Sequence, residues 1–151
     1  MSVPALDPGA VSAGDRLPDH VRGPITRGAL ALFAGASNDH VLLHIDSDYA
    51  RESGMGDVFA HGMLSMAYLA QMLTGWAPQA ALRQWNVRFT AITPLYATVT
   101  CSGEVLEVFE AAGERRARIK LQARTDQDVV TLEGEAIVGL QWDGHLGGQH
   151  G

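Results

Sequence analysis

The stretch from Met63 to Leu73 limits what this chain can fold into more than any other part of it. Met63, Leu64, Met66, Ala67, Leu69, Ala70 and Leu73 leave almost no polar face, and a helix apolar nearly all round has to be buried. Gly75 and then Pro78 mark its end. The sequence beyond it alternates with a period of two. Trp85 to Phe89 alternates, and so does Tyr96 to Leu106, with Val99, Cys101, Gly103 and Val105 on one side. Ala117, Ile119, Leu121 and Ala123 alternate with Arg116, Arg118, Lys120 and Gln122, and Val129 to Leu140 forms a last run after the Asp126-Gln127-Asp128 turn. One buried helix followed by consecutive antiparallel strands implies an α+β domain in which a sheet wraps the helix.

Upstream, Thr26 to Ala36 reads as a helix capped by Thr26, with Leu30, Leu32 and Phe33 as its apolar face and Gly35 near its end. Ser37 to His44 lacks helical periodicity and reads as a loop. Ser47 is expected to cap a short helix through Glu52, closed by Gly54. A chain of 151 residues, 46% apolar, can bury one core but not two. The expected organisation is an irregular arm over 1–20, one domain over 21–143 and a tail over 144–151, whose His145 and His150 lack partners at ligand spacing.

A net charge of −6 argues against a nucleic-acid partner. No apolar run approaches the roughly 18 residues needed to span a bilayer. Met1-Ser2-Val3-Pro4 does not open a signal peptide. The single Cys101 excludes an intramolecular disulfide and reads as a small buried hydrophobe, which fits a cytoplasmic location.

Two segments carry chemistry. Asp39 and His44 lie five residues apart on the loop, and a carboxylate and an imidazole can together hold one water and take its proton. Taken singly, Asp39 fits a turn or cap and His44 an ordinary core or surface histidine. Phe59-Ala60-His61-Gly62-Met63-Leu64-Ser65 then leads into the buried helix, whose first turn offers free N–H groups and a partial positive charge. Gly62 admits close approach of a ligand, so its N–H could meet an oxygen on which negative charge builds.

Together these segments resemble the MaoC-like group of (R)-specific enoyl-CoA hydratases and (3R)-hydroxyacyl-carrier-protein dehydratases. The group's pattern is Ser-Gly-Asp-x-Asn-Pro-x-His-x-Asp, then Ala-His-Gly-Met-Leu. Ser37, Asp39, His44 and Asp46 match the first part, and Ala60, His61, Gly62, Met63 and Leu64 the second. Trp76, Asn86-Val87-Arg88-Phe89 and Pro94 resemble the stretch that follows in mycobacterial dehydratase subunits of this type. The resemblance covers roughly residues 24 to 110. It departs at Asn38 for the Gly, and at Val41-Leu42 for the Asn-Pro that helps position the active-site loop, so here the loop must be held differently.

The resemblance implies a single hot-dog domain, a long central helix wrapped by an antiparallel sheet of about five strands. It implies a lyase in which Asp39 and His44 activate water towards C3 of a trans-2-enoyl thioester, the Gly62 N–H polarises the thioester carbonyl, and no metal or other cofactor is needed. Ser37, His61, Met63, Ser65 and Arg88 are the expected substrate-contacting residues, with His61 orienting the turn. Arg83, Arg115, Arg116, Arg118 and Lys120 are candidate contacts for CoA or carrier-arm phosphates, and Met55, Met63, Met66 and Met72 for the acyl chain. The partners implied are an acyl-CoA or acyl-carrier-protein thioester and a second subunit, in a homodimer, a higher oligomer of dimers or a heterodimer. Two alternatives remain. One is a hot-dog thioesterase, against which stands the lack of an acidic residue from Met63 to Leu73. The other is a non-catalytic subunit of a heteromeric hydratase, against which stands the retention of both Asp39 and His44.

Overall fold

The computed structural model describes residues 6–142, so His145 and His150 lie outside the described residues. Five strands form one antiparallel sheet: β1 (His20–Arg22), β2 (Leu82–Phe89), β3 (Val99–Ala111), β4 (Glu114–Thr125) and β5 (Val130–Gly139). Their order across the sheet is β1-β3-β4-β5-β2. The helices are α1 (Arg27–Ser37), α2 (Ser47–Glu52) and α3 (Gly62–Trp76), and α3 packs against β1, β3 and β4. This is the hot-dog arrangement.

The alternation of the strands sets the core. Trp85, Ala136, Ile119 and Val105 stand in register on the α3 side of the sheet, as do Phe89, Leu132, Ala123 and Cys101. From α3, Leu64, Leu69, Met72, Leu73 and Trp76 fill the hollow. Val11 and Leu17, in the segment ahead of β1, are buried in the same core. Trp76 Nε1–H donates to the Leu6 carbonyl at 2.8 Å. Cys101 is fully buried, and burial pushes its thiol up to about 12, so it is an inert core residue. Among the described residues no helix is long and apolar enough to cross a membrane.

The structure moves several expected boundaries. α3 runs through Gly75 to Trp76, because the buried Trp76 ring extends its packed face. α1 ends at Ser37, with Asn38 rather than Gly35 in the left-handed conformation that closes it. α2 is capped by Asp46, not Ser47, since the Asp46 carboxylate accepts from the N–H groups of Asp48 and Tyr49, both at 3.0 Å. Leu42–His44 forms a single 3-10 turn inside the expected loop, and Tyr96 sits at φ 65° in the turn ahead of β3. The sheet also covers only one side of α3: Met63 is 54% exposed although its helix carries no charge.

Candidate active site

The loop between α1 and α2 is held by side-chain contacts to backbone. Ser37 Oγ–H donates to the Phe33 carbonyl at 2.6 Å and accepts from Asp39 N–H at 3.3 Å. Asp39 Oδ1 accepts from Val41 N–H at 3.3 Å, an Asx turn. The 3-10 turn closes through His44 N–H to the Val41 carbonyl at 3.0 Å. These bonds use the backbone of Val41, so an apolar side chain serves there. Val41 and Leu42 themselves face outward.

The loop is also pinned from outside. His44 Nδ1–H donates to the Phe59 carbonyl at 2.8 Å, and His61 Nε2–H donates to the Asp39 carbonyl at 3.1 Å. A carbonyl only accepts, so the first bond places a proton on His44 Nδ1; in a neutral imidazole the lone pair is then on Nε2. The His44 and His61 rings stack with centroids 4.0 Å apart and planes 28° apart. Phe33 meets His61 edge-on, and Phe59 meets His44 the same way.

His61 is 1% exposed, and burial pushes its pKa below the ordinary histidine value, so it stays neutral. Its Nδ1 is buried without a partner, which costs about 1–3 kcal/mol. Asp39, His44 and His61 each offer a ligating atom within 4.8 Å of the others. Stacked rings, however, hold their in-plane lone pairs in separate layers. A metal shared by both rings, at the usual metal–nitrogen distance of about 2 Å, would have to lie out of at least one ring plane.

His61 is also the residue before α3. The N–H groups of Gly62 and Met63 fall in its first turn, where no helical carbonyl precedes them. A cleft of about 530 Å³ opens at this turn, lined by Phe59, Ala60, Gly62, Met63, Phe89 and Thr90 to Thr93. A Cβ on Gly62 would stand 2.8 Å from two carbons of the Phe89 ring, so only glycine fits there without displacing that ring. A second hollow of about 330 Å³, with Met55, Val58, Leu95 and Tyr96 in its wall, shares Phe59 and Ile92 with the first.

The expected site residues divide. Asp39, His44 and His61 come together, Gly62 and Met63 line the cleft, whose wall does not include Asp39 or His44, and Ser37 hydrogen-bonds the Asp39 backbone. Ser65 is fully buried and shares a 3.4 Å hydrogen bond with Thr93 Oγ1, so it supports the cleft wall. Arg88 is on the opposite sheet face from Phe89, paired with Glu133. Arg118 pairs with Glu107 and Glu135, and Arg83 and Arg116 with Glu114. Arg115 donates to the carbonyls of Pro8 and Val11. These arginines bind the sheet rather than reaching the cleft. Met55 and Met63 line the hollows, whereas Met66 and Met72 pack in the core.

Phe59, Phe89 and Thr93 were not expected at the site. Phe59 adjoins the His61-Gly62 segment and Phe89 lies in the Asn86–Phe89 stretch that carries the resemblance, so both could have been suspected; no local pattern marks Thr93. A second cluster was equally hidden. Asp57 accepts from Ser47 Oγ–H at 2.6 Å, from Val58 N–H at 2.8 Å and from Arg27 at 2.6 Å, which holds its carboxyl below the usual range and ties α1 to α2 beside the loop that carries Asp39 and His44.

Residues 11–129 match a family model described as the MaoC like domain. A 3-hydroxyacyl-thioester dehydratase Z from Mycobacterium tuberculosis is 30% identical over 105 residues, covering 66% of this chain and 70% of that protein. Among solved structures, the R-hydratase PhaJ1 from Pseudomonas aeruginosa is 25% identical with a TM-score of 0.76, over 87% of this chain and 83% of that one. An (R)-hydratase from A. caviae has a TM-score of 0.75 at 21% identity, over 85% and 96% of the two chains, a likeness of fold.

Proposed function

This chain belongs to the MaoC-like dehydratase family, and from that premise we propose that it reversibly hydrates trans-2-enoyl thioesters to (3R)-hydroxyacyl thioesters. The observation that carries the reading is the placement of Asp39 and His44 with ligating atoms within 4.8 Å of each other, with His44 Nδ1 turned to the Phe59 carbonyl.

In the proposed reaction, a water held between the Asp39 carboxylate and His44 Nε2 gives up a proton as its oxygen attacks C3. The C2–C3 π electrons move into the thioester, and the negative charge on its oxygen is met by the Gly62 N–H with the α3 dipole behind it. The proton lost by water rests on the Asp39–His44 pair, and the enolate collapses as C2 takes a proton back from that pair. Dehydration runs the same steps backwards. Water adds and the electron count does not change, so the chain's own groups supply the proton transfers. The substrate is an acyl-CoA or acyl-carrier-protein thioester whose acyl part enters the cleft along Phe59, Met63 and Phe89. The proposed unit is a dimer or a higher oligomer of dimers. β2 supports this, since it is a sheet edge with half-exposed Phe89 on it and half-exposed Met63 beside it.

The test is hydration of crotonyl-CoA and of longer enoyl-CoAs by purified protein, followed as loss of the enoyl-thioester absorbance. Asp39→Asn and His44→Ala should each abolish it. Wild-type rates in both variants would defeat the assignment, and release of free thiol from acyl-CoA would favour thioester hydrolysis instead.

A further inference from the structure

We propose that His61 is a positioning residue, whose ring fixes the Asp39 backbone and the His44 imidazole relative to each other. The inference rests on the hydratase reading of the same site. Three contacts carry it. His61 Nε2–H holds the Asp39 carbonyl at 3.1 Å, across 22 residues of sequence. Its ring face lies on that of His44, with 4.0 Å between centroids. Its own backbone begins α3, so the oxyanion-binding turn, the acid and the base all refer to one side chain.

Packing alone does not account for a histidine here. A phenylalanine or leucine would fill the pocket beside Phe33 without burying an unpartnered Nδ1. What the histidine adds is the Nε2–H and a flat uncharged face. A cation in this place would stand in stacking contact with His44 and oppose its taking a proton from water. The titratable groups that face His61 are Asp39 and His44, and burial keeps the ring neutral between them.

His61→Gln keeps an N–H near the Nε2 position, His61→Asn moves it back by about one bond, and His61→Phe keeps the flat ring and removes the donor. Steady-state kinetics on an enoyl-CoA should show His61→Gln within about 10-fold of wild type in kcat. His61→Asn and His61→Phe should fall by about 100-fold with KM changed little, the loss expected from misplacing reacting groups by about 1 Å. A purely structural residue would lose folding stability and activity in parallel, so melting temperatures are measured on the same samples.

A readout independent of turnover is the ¹³C shift of the Asp39 backbone carbonyl, the group that accepts from His61 Nε2–H. It should move upfield in His61→Phe, where the donor is lost, and stay near the wild-type value in His61→Gln. Equal activity of His61→Phe and wild type, equal loss in all three variants, or an unchanged Asp39 carbonyl shift in His61→Phe would overturn the proposal. Absence of hydratase activity in wild type would sink the reaction assigned to the site, and the Asp39 carbonyl shift would still decide whether His61 holds the loop.

Discussion

Replacing Gly62 with alanine puts a methyl carbon 2.8 Å from Cδ1 and Cε1 of Phe89. Carbon atoms rest at about 3.5–4.0 Å, so either the ring retreats by roughly 1 Å or the first turn of α3 tilts away from it. Alanine is a better helix former than glycine by up to about 1 kcal/mol, and overpacking typically costs about 1–3 kcal/mol, so the net loss of stability should stay below about 2 kcal/mol. Activity should suffer more. The Gly62 N–H is proposed to meet a developing oxyanion, and a donor shifted by this much costs about 100-fold in kcat/KM, or about 2.7 kcal/mol of transition-state stabilisation. A double-mutant cycle isolates the cause. With Phe89→Ala as background the ring is gone, and Gly62→Ala should then cost less than about 5-fold. The assay is steady-state hydration of an enoyl-CoA, with thermal melts of all four proteins. Full activity of Gly62→Ala, or a cost that is the same with and without the Phe89 ring, would refute the reasoning.

Two further outcomes follow from the fold. Leu69→Ala removes a fully buried side chain from the sheet-facing side of α3 and should cost about 2–5 kcal/mol, read as a lower midpoint of denaturant unfolding; a loss under about 1 kcal/mol would mean that α3 is not packed as described. Glu114 is held at about 2, against an ordinary 4.5, by hydrogen bonds from Arg83 and Arg116. A carboxyl depressed on folding stabilises the native state above its unfolded value and loses that contribution as pH falls through its folded value. Glu114→Gln should therefore be less stable than wild type at neutral pH, with the gap closing between pH 4.5 and about 2; a gap that does not depend on pH would contradict this.

The elements of this fold were legible because burial imposes a period. The apolar run at 63–73 and the four alternating stretches correspond to α3 and to β2 through β5. Their ends were not, because a cap is decided by which side chain reaches a free N–H: Asp46 reaches two, one residue ahead of the serine that looked suitable. Asp39, His44 and Gly62 could be read locally, since each lies in a short segment that carries its own pattern. Phe89 and Thr93 belong to the site only because the chain returns after α3, and no local pattern marks Thr93. Alternation on β2 and β4 showed that the arginines share a face, but not which face. Cross-strand glutamates occupy them on the side away from α3.

Phe59 has two allegiances that cannot be altered separately. It lines both hollows, while its carbonyl accepts from His44 Nδ1–H. A substitution that reshapes the wall at Phe59 also acts on the peptide that holds His44, the proposed base, and a change in substrate preference measured there would mix cavity size with proton inventory. Ile92 borders the same two hollows with its side chain and has no bond to the base. With the acyl part in the cleft as proposed, engineering of chain-length preference belongs at Ile92, with Phe59 left as the fixed reference.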